Sequence, residues 1–324
     1  TQEEVDAFNM YLPENVRFTS FASRKGKKTS IIRIAQSIKL VKKTQPKVIF
    51  VSGRFPLWIG AILKMRFPKI RVEGFVHGTE ITLTGNMLSS VTRRAYTKLN
   101  RIIAVSNFTK SLLHESVSAE KVIVVPNGLD RDFLIKSSET HGLKTFEWKG
   151  NPKLLTVGNV TKRKGQHRVV AALPEILKAF PEAHYHVVGL PTESKQLTIQ
   201  AKELGVSHAI TIHGRIAARE DLFRAFVSAD IFIMLSENQA NGDLEGFGIA
   251  ILEANSFGLP AIGATGCGID DAISTKSGKL VDGNSNFEIV MAMQSVLAER
   301  ELFSSGAREW AQKHNWSQLI DRII

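Results

Sequence analysis

The stretch KLLTVGNVTKRKGQHRVVAALPEILKAFPEAHYHVVG, residues 153–189, reads as one strand–loop–helix–strand unit. Its ends, KLLTVGN (153–159) and AHYHVVG (183–189), are short apolar runs, each closed by a turn residue. Between them, HRVVAALPEILKAF places apolar residues at helical spacing, with a kink expected at Pro174. The same alternation runs through the chain. Further strands are predicted at 47–52, 72–78, 101–106, 122–127, 209–214, 230–235 and 260–265, with amphipathic stretches such as TSIIRIAQSIKLVKK between the runs. Strands alternating with helices form parallel sheets covered on both faces. So many strands suit two sheets better than one. The predicted fold class is α/β, with two Rossmann-like doubly wound domains facing a central cleft.

The break falls after PNGLD (126–130), where the following residues lose their periodicity and become rich in polar and turn residues. The domains are read as 1–135 and 151–324, joined by a linker at 136–150. The first domain opens on TQEEVDAFNMYLPENV, without the strand and glycine-rich turn that begin a doubly wound fold, and is expected to be incomplete.

Charge is unevenly divided. The formal net charge is +11, but residues 1–130 carry 21 Lys/Arg against 9 Asp/Glu, and the remainder is close to neutral. A one-sided basic domain attracts anionic partners, and KGKKTSIIRIAQSIKLVKK (25–43) has the pattern of a basic amphipathic helix. An anionic membrane surface is therefore an expected partner. The other reading of that helix is packing on its own sheet. One cysteine, Cys267, excludes an internal disulfide, and no apolar run approaches the roughly 20 residues of a membrane span. The opening residues lack a secretory-signal layout. A cytoplasmic enzyme, peripheral on the inner face of the membrane, is the expectation.

Ligands of open α/β sheets collect beyond the carboxyl ends of the strands, and three segments of the second domain reach that edge. In VGNVTKRKGQ (157–166), Arg163 and Lys164 precede a helix opening near Gly165, a combination suited to an anion. In DLEGFGIAILEA (243–254), Glu245 and Glu253 bracket a small and apolar run, read as a helix from Gly246 to Phe257. Eight residues of helix separate the carboxylates by about 12 Å, a spacing suited to the two hydroxyl-bearing ends of a nucleotide-sugar. Gly246 and Gly248 let a ligand approach the backbone. The third segment, IHGRIAARED (212–221), contributes Arg215.

EGFGIAILE has the E-x7-E form of the retaining glycosyltransferases of family four. VGNVTKRKG, IHGRI, GLPAIGATGCGIDDAI, VHGTE, AVSNFTKSLL and VPNGLD resemble family segments in the expected order over residues 45–316. The resemblance implies the GT-B fold and metal-independent transfer of a sugar, with retained configuration, from a nucleotide-diphosphate-sugar to a glycan or lipid-linked acceptor. Cell-surface polysaccharide or glycolipid synthesis is the implied setting. It gives catalytic roles to His77, Lys164 and Glu245. Donor contacts fall to Gly158, Asn159, Arg163, Lys164, Arg215, Glu245, Gly246, Phe247, Gly248, Ile249 and Glu253. Glu245 would hold sugar hydroxyls, and Glu253 the ribose. Glu80, beside His77, could act similarly. Asn159 stands where the family often has arginine, and Arg163 is read as supplying the missing charge.

No cofactor and no metal are expected. The letters DRD at 130–132 lie in the connecting segment, and His184 and His186 lack a third ligand at metal spacing. Competing readings are a nucleotide-sugar-binding relative without transferase activity, a nucleotide-sugar epimerase and a basic nucleic-acid-binding protein. Nucleic acid is not an expected partner, because aromatic residues are 8% of the chain and no reading module is visible.

Overall fold

The structure is a computed structural model and describes residues 29–82, 86–129, 131–138 and 143–323. The chain divides into two compact units. One comprises residues up to Val125 together with Trp316–Ile324, and the other comprises Pro126–Asn315. Each carries its own parallel sheet. The opening stretch and Asp130, on which the expectations of an incomplete first domain and of a metal-binding DRD rest, lie outside the described residues, as do the side chains of Arg131 and Asp132.

In the first unit, strands β1 (Val48–Ser52), β2 (Arg71–Val76), β3 (Arg101–Ala104) and β4 (Val122–Val124) pair in that order. Helices α1 (Thr29–Thr44), α2 (Arg54–Arg66) and α3 (Asn86–Lys98) are the principal connections. Val51, Val72, Val76, Ile102 and Ala104 form the sheet side of the core, against Leu57 of α2 and Tyr96 and Leu99 nearby. Gly74 in β2 permits this contact, since a Cβ there would sit 2.7 Å from both Leu57 and Leu99 side chains. Helix α1 packs mainly on α2, with Ile49 of β1 as its contact on the sheet. Ile34, Ile38 and Val41 meet Ile59 and Leu63 of α2, while Ile31 and Ile32 remain exposed.

The segment 316–323 belongs to this unit. Leu319, Ile320 and Ile323 pack with Ile103 and Val125. A fully buried carboxylate ties the arrangement together. Glu73 accepts from Arg71 Nε at 2.6 Å and from Arg101 Nε at 2.7 Å, and Arg101 also donates to the Ile323 carbonyl.

The second unit has a six-stranded sheet in the order β10-β9-β8-β5-β6-β7. Its strands are β5 (Lys153–Val157), β6 (His184–Val188), β7 (Ile210–Gly214), β8 (Ile231–Met234), β9 (Ala261–Ala264) and β10 (Gly278–Val281). The last was not predicted. GKLV is short, and glycine and lysine fill half of it. Helix α4 (Gln166–Ala179) continues through Pro174, and its residues Val169, Val170, Leu173 and Ile176 share a core with α5 (Ser194–Glu203) and α8 (Asn286–Ala298). Helices α6 (Arg219–Ser228), α7 (Ile249–Ser256) and α9 (Arg300–Lys313) complete the unit. Phe133 lies edge-on to Phe223, Phe226 and Phe257 in a separate aromatic cluster. Among the described residues, no helix is long and apolar enough to cross a membrane.

His184, His186 and His213 gather on one face of β6 and β7. Trp148, in the connecting segment, stacks on His186 at 4.4 Å and on His213 at 4.8 Å. His186 Nε2 lies 2.9 Å from the Lys149 carbonyl, which can only accept, so Nε2 carries the proton. His186 Nδ1 therefore accepts from His213 Nε2, also at 2.9 Å. His184 Nε2 meets Thr211 Oγ1 at 2.8 Å. These partners make the cluster structural, and among the described residues no group of three or more His, Cys, Asp or Glu is placed to hold a metal ion.

The buried carboxylate and the neutral histidines each have a testable consequence for stability. Arg101→Leu leaves one oxygen of a buried carboxylate unpaired, with Arg71 still on the other, whereas Glu73→Gln strands cations that reach water. The first variant should therefore lose more stability, about 3 kcal/mol, read as lost hydrogen-exchange protection in β2 and β3. Equal losses would mean that Glu73 does not depend on Arg101. The second concerns acid. Burial pushes His186 down from 6.5 to about 4, with His184, His213 and Lys153 adding to the effect. Burial also lowers His184, where Lys149 and His208 contribute, and His213. The unfolded chain thus takes protons first as pH falls. Stability present above 6.5 should decline toward pH 4, the limits set by the His186 values. His186→Gln should flatten that slope in denaturation series across the window, and an unchanged slope would assign the decline elsewhere.

Candidate active site

In the six-stranded sheet, β5 lies between β6 and β8. The chain runs outward from β5 through β6 to β7 and returns on the other side at β8. The crevice beyond β5 and β8 is thus the topological switch point, where doubly wound sheets take their ligands. The loops leaving these two strands carry most of the residues singled out from the sequence.

The loop after β5 is shaped by glycines. Gly158 has φ +155°, and the Lys164 side chain runs over it within 3.6–3.8 Å of where a Cβ would be. Gly165, at φ +77°, begins α4 so close to β8 that a Cβ would fall 1.9 Å from the Leu235 carbonyl oxygen. Gln166 is buried beneath the loop, donating to the Asn159 carbonyl at 3.1 Å. Asn159 itself is exposed.

The loop after β8 supplies the acids. Glu245 Oε2 accepts from Lys164 Nζ at 2.6 Å and from Arg163 Nη1 at 2.5 Å. Arg163 also pairs through Nε with Asp243 Oδ1 at 3.2 Å. The Glu245 side chain is 9% exposed and that of Asp243 is 46% exposed. Two segments 81 residues apart thus meet in one ion-pair cluster. A carboxylate this buried requires such pairing, because the desolvation of an unpaired one costs several kcal/mol.

Two residues that sequence reading missed hold this geometry. Arg168, on the first turn of α4, donates from Nη1 to the Leu235 carbonyl at 3.3 Å and the Ser236 carbonyl at 3.2 Å, and pairs with Glu237 at 2.8 Å. The Glu237 amide donates to the Arg163 carbonyl at 2.9 Å, and its carboxylate lies 4.0 Å from Lys162 Nζ and 3.8 Å from His167 Nε2. The pair locks the two loops together. A polar loop and the first helical turn after it gave no sign of this, because the partners are adjacent only once β5 and β8 are neighbours.

The helix expected to begin at Gly246 begins at Ile249. Gly248 has φ +93°, outside helical backbone, so Gly246, Phe247 and Gly248 form a turn before the helix. Glu253 is on α7, four residues past Ile249, so only the second half of the stretch between the two glutamates is helical. The turn is pressed against the loop after β9. Gly268 donates to the Glu245 carbonyl at 2.8 Å, and a Cβ on Gly268 would lie 2.0 Å from the Gly246 carbonyl carbon. Phe247 is a core residue facing the His314 ring at 6.0 Å, so only its backbone can face a ligand. Ile249 is exposed. Cys267 is buried, which pushes its thiol up to about 12, in keeping with a packing role. Arg215 is exposed just past β7, the edge strand, outside the ion-pair cluster.

In the first unit, His77 is exposed at the end of β2, its Nε2 3.1 Å from Ser52 Oγ, and its amide donates to the buried carboxylate of Glu80. Glu80 thus fixes the backbone at His77.

The family described as Glycosyl transferases group 1 matches residues 137–313, and the one described as Glycosyltransferase Family 4 matches residues 2–133. The GDP-mannose-dependent alpha-(1-6)-phosphatidylinositol monomannoside mannosyltransferase of Mycobacterium tuberculosis is 27% identical over 82% of this chain and 74% of its own. The D-inositol 3-phosphate glycosyltransferase of Geodermatophilus obscurus is 28% identical over 65% of this chain and 48% of its own. Anabaena HepE in complex with UDP superposes with a TM-score of 0.70 at 19% identity, over 90% of this chain and 80% of that one. This likeness places the two parallel sheets in the GT-B architecture. The chain belongs to the group 1 glycosyl transferases and is a glycosyltransferase of the hexosyltransferase type.

Proposed function

We propose that the protein transfers a hexose from a nucleotide-diphosphate-sugar to a lipid-linked or glycan acceptor, with retention and without a metal ion. The observation that carries this reading is the pairing of Arg163 and Lys164 with Glu245 at the switch point of the second sheet. A cationic pair beside the start of α4 is suited to the negative charge that grows on a departing diphosphate. Glu245 lies within reach of the same point and accepts from sugar hydroxyls in this reading. Glu253, on α7, holds the ribose. Asn159 leaves the arginine place of the family without charge, and Arg163 takes over that role.

The reaction breaks the bond between the anomeric carbon and the diphosphate and forms one to the acceptor oxygen. The leaving phosphate oxygen takes the acceptor proton, so no protein base is needed. His77 is assigned to the transferred sugar by the family resemblance. The named relatives support a mannosyl donor carried on GDP and a phosphoinositol-containing acceptor as the first pair to try. The basic first domain, with Ile31 and Ile32 exposed on α1, which also carries exposed Lys39, Lys42 and Lys43 toward its other end, supports contact with an anionic membrane surface.

Calorimetric titration with GDP-, UDP- and ADP-sugars should show saturable binding of one nucleotide class, weakened at least tenfold by Glu253→Ala. Lys164→Ala should lower the transfer rate by about a hundredfold or more, the scale for removing one electrostatic stabiliser of a transition state. Binding of no donor would defeat the reading. Binding without transfer to any phosphoinositol or glycan acceptor would instead favour a sugar-binding relative without transferase activity. Sedimentation with anionic vesicles should fall steeply as salt rises, and failure to sediment at low salt would remove the membrane contact.

A further inference from the structure

The cations proposed to receive the diphosphate are already matched. Arg163 and Lys164 face two carboxylates, Glu245 at 2.5 and 2.6 Å and Asp243 at 3.2 Å. A diphosphate gains little from cations whose charge is cancelled by neighbouring acids. One carboxylate has to yield, and the surroundings of the two decide which. Glu245 is nearly buried, so removing its cations would leave an uncompensated charge out of water. Asp243 is close to half exposed and can turn into solvent at little cost.

The loop is built so that Asp243 can do this without unravelling. Glu237 N–H donates to the Arg163 carbonyl at 2.9 Å, and Asn238 Nδ2 donates to the Gly266 carbonyl at 2.9 Å. Gln239 N–H donates to the Asp243 carbonyl at 3.0 Å, and Asp243 N–H donates to Asn241 Oδ1 at 2.9 Å. None of these contacts uses the Asp243 carboxylate. Its backbone is fixed while its side chain reaches one edge of the Arg163 guanidinium.

Resting on the donor-site reading above, we propose that Asp243 is a displaceable counter-anion: the donor's diphosphate takes its place on the Nε edge of Arg163, while Glu245 stays. Asp243 thereby sets a threshold of negative charge that a ligand must bring to displace it, and it holds diphosphate affinity below what Arg163 alone would give.

The test is calorimetric titration of the full chain and of Asp243→Asn with GDP, UDP and ADP, and with the nucleoside matching the one that binds. Asp243→Asn should tighten the nucleoside diphosphate about two- to fivefold, the scale of an exposed ion pair, and leave nucleoside affinity unchanged. Asp243→Ala should act in the same direction. In an Arg163→Gln background the gain should disappear. Unchanged or weaker diphosphate binding by a variant that melts like the parent would overturn the proposal, since Asp243 would then be indifferent or would be positioning Arg163. A gain that persists without Arg163 would replace displacement with a general field effect. Diphosphate binding absent from parent and variant alike would remove the donor-site reading and this inference together.

Discussion

The arrangement of the second unit turns on one carboxylate shared by two cations. Glu245 leaves the loop after β8, and Arg163 and Lys164 leave the loop after β5. An acid this buried is tolerable only while paired, so the two loops are held in a fixed relation. The glycines serve the same end. Gly165 brings the start of α4 against the Leu235 carbonyl, and Gly268 brings the loop after β9 against Gly246. No residue with a Cβ fits at either place without moving backbone. The pairing of Glu245 with Arg163 and Lys164 is therefore set by close backbone contacts on either side of it, as electrostatic preorganisation requires.

The sheet was legible in the sequence because its strands are short apolar runs with helical stretches between them. Four-residue β10 escaped, having too little apolar content to stand out from a loop. Glu245, Lys164 and Arg163 were legible as candidates, through their types and through family likeness. Their mutual pairing was not, because contacts across 81 residues depend on strand order. The start of α7 was misread for a local reason. Phe247 and Ile251 keep helical spacing, but Gly248 adopts a positive φ that no helix contains. Periodicity reports which side of a segment is apolar, and that property is shared by a helix and by a turn whose phenylalanine points inward. Arg168 and Glu237 left no pattern at all, since a charged residue on a first helical turn and an acid in a polar loop are both ordinary at a surface.

Each unit contains a carboxylate gripped by two cations, and the difference between them separates structure from chemistry. Glu73 lies on a strand, fully buried, with Arg71 and Arg101 taking its two oxygens. Arg101 spends its remaining donors on carbonyls of the segment 322–323. The acid is closed off, with both oxygens taken and none in water, although Arg71 is half exposed. Around Glu245 the balance is different. Both cations crowd onto one oxygen, Oε2, and the second acid on Arg163 is half in water. Its groups sit on loops at the carboxyl edge of the sheet, where a ligand can replace a partner. A closed cluster can only stabilise. An open one, whose charges are matched in part by an expendable side chain, can exchange one anion for another, and that exchange is what binding a diphosphate and letting it leave would demand.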